Sequence, residues 1–196
     1  VNQYYNKQMA KRRSICELMN GRHSSKRIAR LTVKRNRKVE DYLHKASRKV
    51  IDLCAGQDVS VLVIGKNKGW KQEANLGRKL NQSFVQLPFA RFIQMLQYKA
   101  GSIGMKVVLT EESYTSGTSF LDDEAPVKAC YDKSRRVHRG LFLANDGQRI
   151  NADVNGAYQI MRKVFPNVNA DGIEGVALRP AVVTLSMSAR RGSGCA

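Results

Sequence analysis

The segment Ile150–Arg162, INADVNGAYQIMR, joins a polar turn to an amphipathic helix and carries one aspartate, Asp153, in the first helical turn. The helix is indicated by apolar side chains that recur on one face, namely Ala157, Ile160, Met161 and Val164. A carboxylate in the first turn is favoured by the helix dipole and can cap a free backbone N–H. The spacing alone favours an N-cap role for Asp153, and a functional role depends on the segments that fold beside it.

The segments that precede this helix read as strand, helix, strand. Val59–Ile64 (VSVLVI) is mostly β-branched, as expected of a strand buried on both faces. Leu87–Ala100 carries apolar side chains at helical spacing, and Met105–Thr110 (MKVVLT) predicts a second strand. Elements of these lengths form a parallel βαβ unit, whose ligands bind at the carboxyl ends of the strands. Those ends are Gly65–Asn67 and Glu111–Glu112.

The first 56 residues are strongly basic, with 15 Lys and Arg against four acidic residues. Two helices are predicted there, one from about Tyr5 to Met19 and one from Ser24 or Ser25 to Ala55. An apolar stripe on the second helix consists of Ile28, Leu31, Val39, Tyr42, Ala46, Val50 and Leu53. A helix with so many like charges is destabilised unless an anion lies beside it. We therefore predict that a phosphate backbone is bound by Arg27, Arg30, Lys34, Arg37, Lys38, Lys45 and Arg48. The alternative is an ordinary solvated charged face.

The whole chain has 34 Lys and Arg against 16 Asp and Glu, a formal net charge of +18. Such an excess predicts a polyanionic partner, and nucleic acid leads because Lys and Arg displace the counterions of a phosphate backbone. The absence of an 18-residue apolar run and of a signal-peptide pattern disfavours a membrane partner and export. The expected location is the cytoplasm, in association with the nucleoid. The four cysteines lie far apart without a C-x-x-C pair, so neither a disulfide framework nor a four-cysteine zinc site is predicted.

Two irregular segments carry further basic residues. After the first strand, a polar stretch with several glycines contains Lys66, Lys68, Trp70 and Lys71, which could stack on a base and hold a phosphate. The alternative is an ordered loop anchored by the tryptophan. Residues 113–150 combine an acidic patch, 122–124, with a basic run, 133–139, in which Arg135 and Arg136 are predicted to bind nucleic acid.

The order of these parts resembles the carboxyl-terminal half of the TnpB (OrfB) family, the transposon-encoded RNA-guided nucleases related to type V CRISPR effectors. The resemblance covers nearly all of residues 1–165. It is carried by six segments in order: VNQYYNKQMAK (Val1–Lys11), RNRKVEDYLHKA (Arg35–Ala46), IGKNKGWKQ (Ile64–Gln72), FVQLPFARFIQMLQ (Phe84–Gln97), ESYTS (Glu112–Ser116) and NADVNGAYQI (Asn151–Ile160).

The resemblance implies an α/β fold with an incomplete RNase H-like (RuvC-like) core. This core contains the parallel βαβ unit, a basic helical amino-terminal region and a zinc-ribbon-like insertion. The implied boundaries are 1–56 for the basic helical hairpin, 57–112 for the βαβ part, 113–150 for the insertion, 151–166 for the final helix and 167–196 for a tail. Three antiparallel strands of such a sheet would precede residue 1, so a missing amino-terminal part or another chain is expected to complete it.

The resemblance also implies a magnesium site. The family's module holds two magnesium ions with three carboxylates on separate elements, and the ions clamp the scissile phosphate. Asp153 matches the last of these carboxylates, and the first is expected upstream of this chain. The position of the central glutamate is Gly65 here. We therefore hypothesise that Glu112 or Glu111, at the end of the neighbouring strand, supplies a second catalytic ligand, with Glu112 favoured because it opens ESYTS. Ordinary solvated strand-end acids are the alternative.

The insertion lacks the cysteines that family members commonly bear. The matching positions fall at Ser119 and near Leu143 and Asp146. A tetrahedral zinc site cannot form there without thiolates, so no bound zinc is expected. The ribbon hairpin is expected to persist without metal, packed by Leu141, Phe142 and Leu143.

The function implied by the resemblance is the nucleic-acid-binding carboxyl-terminal part of a transposon-associated RNA-guided DNA endonuclease. It would hydrolyse phosphodiester bonds by two-metal catalysis once the sheet is completed, with guide RNA and target DNA as partners. One alternative is a nuclease-dead TnpB-derived module that binds RNA and DNA, which Gly65 favours and Asp153 opposes. Another is a packaging or ribosome-associated protein, which explains the charge but not the ordered motifs.

Overall fold

A computed structural model describes residues 1–67, 88–171 and 183–185. Its elements are α1 (Asn2–Asn20), α2 (Lys26–Ala55), β1 (Val61–Gly65), α3 (Phe89–Gly101), β2 (Lys106–Thr110), β3 (Phe142–Leu143), β4 (Arg149–Ile150) and α4 (Ala152–Val164). Two 3₁₀ turns, Lys128–Cys130 and Lys133–Arg135, lie between β2 and β3. The chain divides into two compact units, one with α1, α2 and α3, the other with β1, most of β2, and the elements after it. None of the described helices is long and apolar enough to cross a membrane.

The helical unit begins with a hairpin formed by α1 and α2. Ser25, one of the two start positions predicted for α2, is its N-cap. The Ser25 side chain accepts a hydrogen bond from the backbone N–H three residues later. The hydroxyls of Tyr5 and Thr32 lie 3.0 Å apart, and Arg35 Nε donates to Asn2 Oδ1 at 3.0 Å. These contacts fix the register of the two helices.

The buried face of α2 differs from the predicted stripe in its second half. The buried side chains of α2 are those of Ile28, Leu43, Ser47 and Ile51. Tyr42 and Leu53 are 48% and 41% exposed, so their assignment to the stripe was wrong. In the second half of α2 the buried residues recur every four positions, so the buried face lies on a different side of the helix from the predicted stripe. The small side chain of Ser47 also leaves room for a polar side chain from α3. Lys99 Nζ donates to Ser47 Oγ at 2.8 Å and to the carbonyl oxygen of His44 at 2.7 Å.

The two predicted strands pair in parallel. Lys106 N–H donates to the carbonyl oxygen of Ser60 at 2.9 Å, and Lys66 N–H donates to that of Thr110 at 2.7 Å. Both strands therefore run in the same direction, which confirms the predicted parallel pairing, and α3 lies between them in chain order. All residues of β1 are half-buried and not buried on both faces as predicted. Among the described residues β1 pairs with β2 alone, which leaves its other edge partly exposed.

The unit that contains α4 has a second, smaller sheet. β3 and β4 form an antiparallel hairpin in which Phe142 faces Ile150 and Leu143 faces Arg149. Phe142 and Ile150 are buried together with Ala152 of α4. The hairpin predicted for the insertion is therefore present and packs against the start of α4.

Candidate functional site

The start of α4 is capped by Asn151 and not by Asp153. Asn151 Oδ1 accepts hydrogen bonds from the backbone N–H groups of Asp153 at 2.9 Å and Val154 at 3.2 Å. The N-cap interpretation of Asp153 was therefore wrong, because an asparagine two residues earlier already satisfies these donors. The Asp153 side chain is 83% exposed, and its Oδ1 lies 3.5 Å from Nη2 of Arg136.

The helix α4 forms as predicted, but its fully buried face is largely polar. Asn155 Oδ1 accepts from the backbone N–H of Phe120 at 2.9 Å, and its Nδ2 donates to the carbonyl oxygen of Thr118 at 2.8 Å. Gln159 Nε2 donates to the carbonyl oxygen of Glu124 at 3.1 Å. The amides thus hold the turn that follows β2, while Ala157, expected on the buried face, is exposed.

The carboxyl ends of β1 and β2 meet, and Glu112 lies directly over Gly65. The backbone N–H of Glu112 donates to Asn67 Oδ1 at 3.0 Å, which ties the two strand ends together. A Cβ atom added to Gly65 would lie 2.8 Å from Glu112 Oε2 and 2.8 Å from Cδ1 of Ile160. Real Cβ atoms essentially never approach other atoms so closely, so the Glu112 carboxylate fills the space where a side chain at position 65 would begin.

The Glu112 carboxylate is partly buried, unlike that of Glu111. Burial raises the pKa of Glu112 above its ordinary value, because a charged carboxylate loses hydration there. No described residue donates a hydrogen bond to this carboxylate, whereas the Glu112 backbone N–H and carbonyl are both bonded. Glu111, the other sequence candidate, is exposed. The uncompensated carboxylate at this strand end is therefore that of Glu112.

Asp153 and the Glu112 edge are connected through one face of α4. Ile160 lies against Gly65 and Glu112, and Asp153 precedes Ile160 by seven residues. Seven residues are close to two full turns, so the two side chains share a face and lie about 10 Å apart along the helix axis. Within residues 1–67, 88–171 and 183–185, no group of three or more His, Cys, Asp and Glu side chains could hold a metal ion. The site therefore offers two carboxylates at most from this part of the chain.

Arg135 serves the fold of the insertion, in contrast to its predicted place in a nucleic-acid surface. Its guanidinium pairs with the carboxylates of Asp122 and Glu124, donates to the Leu143 carbonyl oxygen at 3.1 Å, and lies over the Phe142 ring. The Arg135 side chain is 12% exposed. The Arg135 guanidinium is therefore engaged inside the fold and not on a nucleic-acid surface, while Arg136 is exposed and contacts Asp153.

The basic residues of α2 named from the sequence share one side of that helix. With 3.6 residues per turn, all seven positions fall within an arc of about 100°. Five of them are exposed and have no carboxylate partner among the described residues: Arg27, Arg30, Lys34, Arg37 and Lys38. Toward the carboxyl end, Lys45 pairs with Asp41 at 2.9 Å and Arg48 with Asp52 at 3.1 Å. The first half of α2 therefore carries the uncompensated charge.

Of the four residues predicted to bind nucleic acid after the first strand, the structure describes one. Lys66 is exposed and directly follows β1. Lys68, Trp70 and Lys71 lie outside the described residues, so their predicted role in binding bases and phosphates stays a prediction.

The sequence is similar to two protein-family models and to a curated protein. The family model OrfB_IS605, described as "Probable transposase", matches residues 1–71, and the model "Cas12f1-like, TNB domain" matches residues 89–160. A curated relative is the CRISPR-associated endodeoxyribonuclease Cas12f2 of Micrarchaeota archaeon (strain CG1_02_47_40). It is 26% identical over 155 residues, which are 74% of this chain and 27% of the relative. This chain thus spans about a quarter of that protein's length.

A solved structure has the same fold over most of the chain. In the cryo-EM structure of the Cas12f1–sgRNA–target DNA complex, the matching region has a TM-score of 0.54 and 20% sequence identity. It covers 80% of this chain and 40% of the solved one. The fold is therefore a mixed α/β fold of the Cas12f1 type with a small parallel sheet. The chain is thus similar in sequence to these two family models and to Cas12f2, and similar in fold to Cas12f1.

Proposed function

We propose that this chain is the nucleic-acid-binding carboxyl-terminal part of an RNA-guided DNA endonuclease that cuts phosphodiester bonds with magnesium. The observation that carries the proposal is the contact between Gly65 and Glu112. At the position where the family's central glutamate is expected there is a glycine, and a glutamate from the adjacent strand fills the adjoining space. A carboxylate is thus kept at this edge of the sheet by a different residue.

The residues at this edge suit magnesium. Hard cations such as Mg²⁺ prefer carboxylate oxygens, and Mg²⁺ commonly takes only one or two of them from the protein. Glu112 presents a carboxylate that burial destabilises in its charged form and that no described donor stabilises, so a cation would relieve it. Asp153 and Glu112 would each supply one carboxylate to a two-metal site, and the bound ions would neutralise the scissile phosphate and activate the attacking water. The third ligand of a two-metal site would come from the strand expected upstream of residue 1.

The side chains around Asp153 prepare it for this role. Asn151 caps α4, so the Asp153 carboxylate is not used by the helix. The Arg136 guanidinium lies 3.5 Å from the Asp153 carboxylate and partly offsets its charge. This contact is long and largely exposed, and such ion pairs contribute little to stability, so it can open when a cation or a phosphate arrives.

The proposed partners are guide RNA and target DNA. The solved relative of this fold is a complex with sgRNA and target DNA. In this chain the exposed basic side of α2 offers a continuous surface about 16 Å long from Arg27 to Lys38. Lys and Arg bind a phosphate backbone irrespective of base sequence, which suits a protein that reads a heteroduplex by its shape.

Expression from the native locus, together with its flanking DNA, tests the proposed function. RNA of defined length is expected to co-purify, and DNA complementary to that RNA is expected to be cut in magnesium chloride. Chelation by EDTA is expected to abolish cutting and leave DNA binding unchanged, because the cation acts in chemistry and not in backbone recognition. Gel analysis of a labelled duplex gives the cutting, and filter binding gives the affinity. A duplex that does not match the RNA is the control.

A nuclease-dead RNA- and DNA-binding module is the second candidate. It is favoured by Gly65 and by the lack of a three-ligand cluster within the described residues. Defined RNA and bound target DNA without cutting at any magnesium concentration would support this candidate and contradict the endonuclease. Bulk ribosomal RNA in place of a defined species would contradict both and support a packaging protein.

Charge reversal on α2 is expected to weaken nucleic-acid binding. Arg30→Glu combined with Lys34→Glu is expected to lower the affinity for a 20-base-pair RNA–DNA heteroduplex by about tenfold or more at 0.1 M salt. The slope of log K against log salt concentration is expected to become shallower, by the amount that about two phosphate contacts contribute. Fluorescence anisotropy across a salt titration measures both quantities.

The matched control for this pair lies on α1. Lys7→Glu combined with Lys11→Glu makes the same change of charge at the same four-residue spacing, at two exposed positions. It is expected to lower the affinity less than threefold. Equal losses from the two double variants would show that net charge, and not the basic side of α2, determines binding.

A further inference from the structure

The Asn67 side chain joins the ends of the two parallel strands. Its Oδ1 accepts a hydrogen bond from the backbone N–H of Glu112 at 3.0 Å. This contact lies just beyond the last ladder bond, in which Lys66 N–H donates to the Thr110 carbonyl oxygen at 2.7 Å. Asn67 is half-buried and belongs neither to the candidate carboxylates nor to the basic side of α2.

The contact with Glu112 determines how the Asn67 amide is turned. A backbone N–H only donates, so the Asn67 atom that faces it is the oxygen. Covalent geometry then places the Asn67 nitrogen within about 5 Å of the Glu112 backbone nitrogen. No described residue accepts a hydrogen bond from the Asn67 nitrogen. The buried side-chain nitrogens and oxygens without a partner in the described ranges are Arg12 Nε and Gln159 Oε1, so the unpartnered Asn67 nitrogen is accessible to solvent.

The Asn67 side chain lies on the same side of the sheet as the Glu112 carboxylate. Side chains two positions apart along a strand point to the same face, and Gly65 precedes Asn67 by two positions. A Cβ atom on Gly65 would point at the Glu112 carboxylate and at Ile160. The free N–H groups of Asn67 and the carboxylate of Glu112 therefore lie on one face at one strand end.

A cation without a carboxylate partner lies near the same strand end. Lys163 follows Ile160 by three positions on α4, so the two side chains are neighbours on the helix surface. Lys163 Nζ donates to Ser113 Oγ at 3.2 Å, and Ser113 directly follows Glu112. None of the described carboxylates pairs with Lys163. A neutral donor and an unpaired cation at one place favour an anionic ligand.

We propose that the Asn67 side-chain amide donates a hydrogen bond to a non-bridging oxygen of the DNA phosphate at the Glu112 edge. This inference rests on the proposed function, which brings the scissile phosphate to that edge. The Asn67 oxygen is already used by the backbone of Glu112, so the group that remains is a donor and not a metal ligand. Asn67 is therefore a substrate contact that acts on an oxygen the metal ions do not bind.

Two substitutions of Asn67 distinguish a phosphate contact from a connection between strands. Asn67→Asp keeps an oxygen for the Glu112 N–H and loses the donor, whereas Asn67→Ala loses both. We measure binding of DNA complementary to the co-purified RNA, using the full protein in EDTA and filter binding. Asn67→Ala is expected to weaken binding about fivefold and Asn67→Asp more than tenfold, because a carboxylate repels a phosphate. Wild-type affinity in Asn67→Asp would overturn the proposal, since a connecting role needs only the oxygen.

The matched control is Asn20→Asp. Asn20 Oδ1 likewise accepts a backbone N–H, that of Arg22 at 3.2 Å, at an exposed position. The substitution makes the same change of charge and keeps the same kind of contact, and it is expected to change the affinity less than twofold. Equal losses from Asn20→Asp and Asn67→Asp would overturn the contact, because net charge would then account for both. Thermal unfolding verifies that each variant is folded.

Sulfur substitution at the cut phosphate identifies the oxygen that Asn67 contacts. One of the two phosphorothioate configurations is expected to slow wild-type cutting about tenfold, because sulfur accepts hydrogen bonds weakly. Manganese is expected not to restore this rate, in contrast to sulfur at a metal-bound position. In Asn67→Ala, already about 10²-fold slower, the same sulfur is expected to have no further effect. An undiminished sulfur effect in Asn67→Ala would overturn the contact. If the wild type does not cut, the endonuclease function fails, and the binding measured in EDTA still decides the role of Asn67.

Discussion

Glu112→Gln is expected to lower magnesium-dependent DNA cleavage by about 10³-fold while nucleic-acid binding stays within twofold of the wild type. The loss corresponds to about 4 kcal/mol of transition-state stabilisation, which is the scale of a metal ion that neutralises charge on a scissile phosphate. Glutamine keeps the size of the side chain and removes its charge, so the change tests ligand chemistry and not packing. The measurement is the single-turnover cleavage rate with saturating guide and target. Asp153→Asn is expected to have an effect of the same size.

The matched control is the neighbouring acid. Glu111→Gln removes an exposed carboxylate at the end of the same strand and is expected to change the rate less than threefold. Equal rates for the wild type and Glu112→Gln, with Asp153→Asn inactive, would contradict the assignment of Glu112 and leave the enzyme function standing. Activity in all three variants would contradict the metal site as a whole.

A loss of cleavage is also expected from substitution of Gly65, which has no side chain to bind a metal but lies against Glu112. Gly65→Ala places a methyl group 2.8 Å from the Glu112 carboxylate, so it is expected to displace that carboxylate and lower the rate nearly as far as Glu112→Gln. Gly65→Glu is expected to be equally inactive, because two side chains then compete for one space. Gly65→Glu combined with Glu112→Ala is expected to recover more than tenfold of the lost rate, since it moves the carboxylate to the first strand. A double variant no more active than Gly65→Glu would contradict this exchange.

A metal-free measurement checks the same residue. Because the pKa of Glu112 is raised in the folded protein, its charged form opposes folding as the pH rises above the ordinary value of 4.5. Glu112→Gln is therefore expected to raise the unfolding temperature at neutral pH in EDTA, with the gain vanishing at acid pH. Manganese chloride is expected to stabilise the wild type and not the variant, because binding to the folded state alone raises its stability.

The sequence predicted where the helices and strands lie better than it predicted which side of each helix is buried. The hydrophobic periods identified both strands and the helix between them, and the predicted bounds of α2, Ser24 or Ser25 to Ala55, agree with the structure, because these signals act locally. The buried face of α2 followed from Lys99 of α3, whose contact with Ser47 no periodicity within α2 could show. Where a partner element chooses the buried side, the pattern of one helix is insufficient.

The polar residues of α4 show the same limit. Asn151 and Asp153 are both good N-cap residues, and only the folded backbone decides that the asparagine caps the helix. Asn155, Gln159 and Arg162 recur at a spacing of three to four residues, which could have indicated a polar buried face. Most of their backbone partners lie 35 or more positions earlier in the chain, however, so the spacing alone could not identify those partners. Arg162 also donates to the carbonyl oxygen of Val168 at 3.0 Å. The proximity of Glu112 and Gly65 was likewise predicted only as a shared sheet edge, because their contact depends on strand register.

The insertion raises a question of stability, because it lacks the thiolates that would bind zinc. Arg135 connects its parts, since the guanidinium pairs with two carboxylates, binds a β3 carbonyl oxygen and lies over the Phe142 ring. Arg162 of α4 makes a similar set of contacts, with Asp123 Oδ1 at 2.5 Å and the Phe120 ring at 4.2 Å. Two arginines thus hold in place the turn that follows β2.

Arg135→Met is expected to lower the free energy of unfolding by about 3–5 kcal/mol. Methionine keeps much of the apolar stem, but the carboxylates of Asp122 and Glu124 are then left without their cation in a mostly buried place. Urea denaturation measures the change, with Arg139→Met as the control at an exposed position. EDTA is expected to leave the wild-type midpoint unchanged. A loss below about 1 kcal/mol would contradict the connecting role of Arg135.

The pH dependence of the same variant separates the ion pairs from packing. Burial alone would raise the pKa of Asp122, but hydrogen bonds from Ser119, the Asn145 backbone and Arg135, with the Arg135 charge, lower it below 3.8. A carboxyl group with a lowered pKa stabilises the fold above its unfolded pKa, and this contribution is lost as the pH falls through the folded value. The wild type is therefore expected to lose stability steeply below about pH 4. Arg135→Met is expected to lose less over that range, because part of the stabilisation is already absent. Parallel pH profiles for the two proteins would show that packing on Phe142, and not charge, accounts for the effect of Arg135.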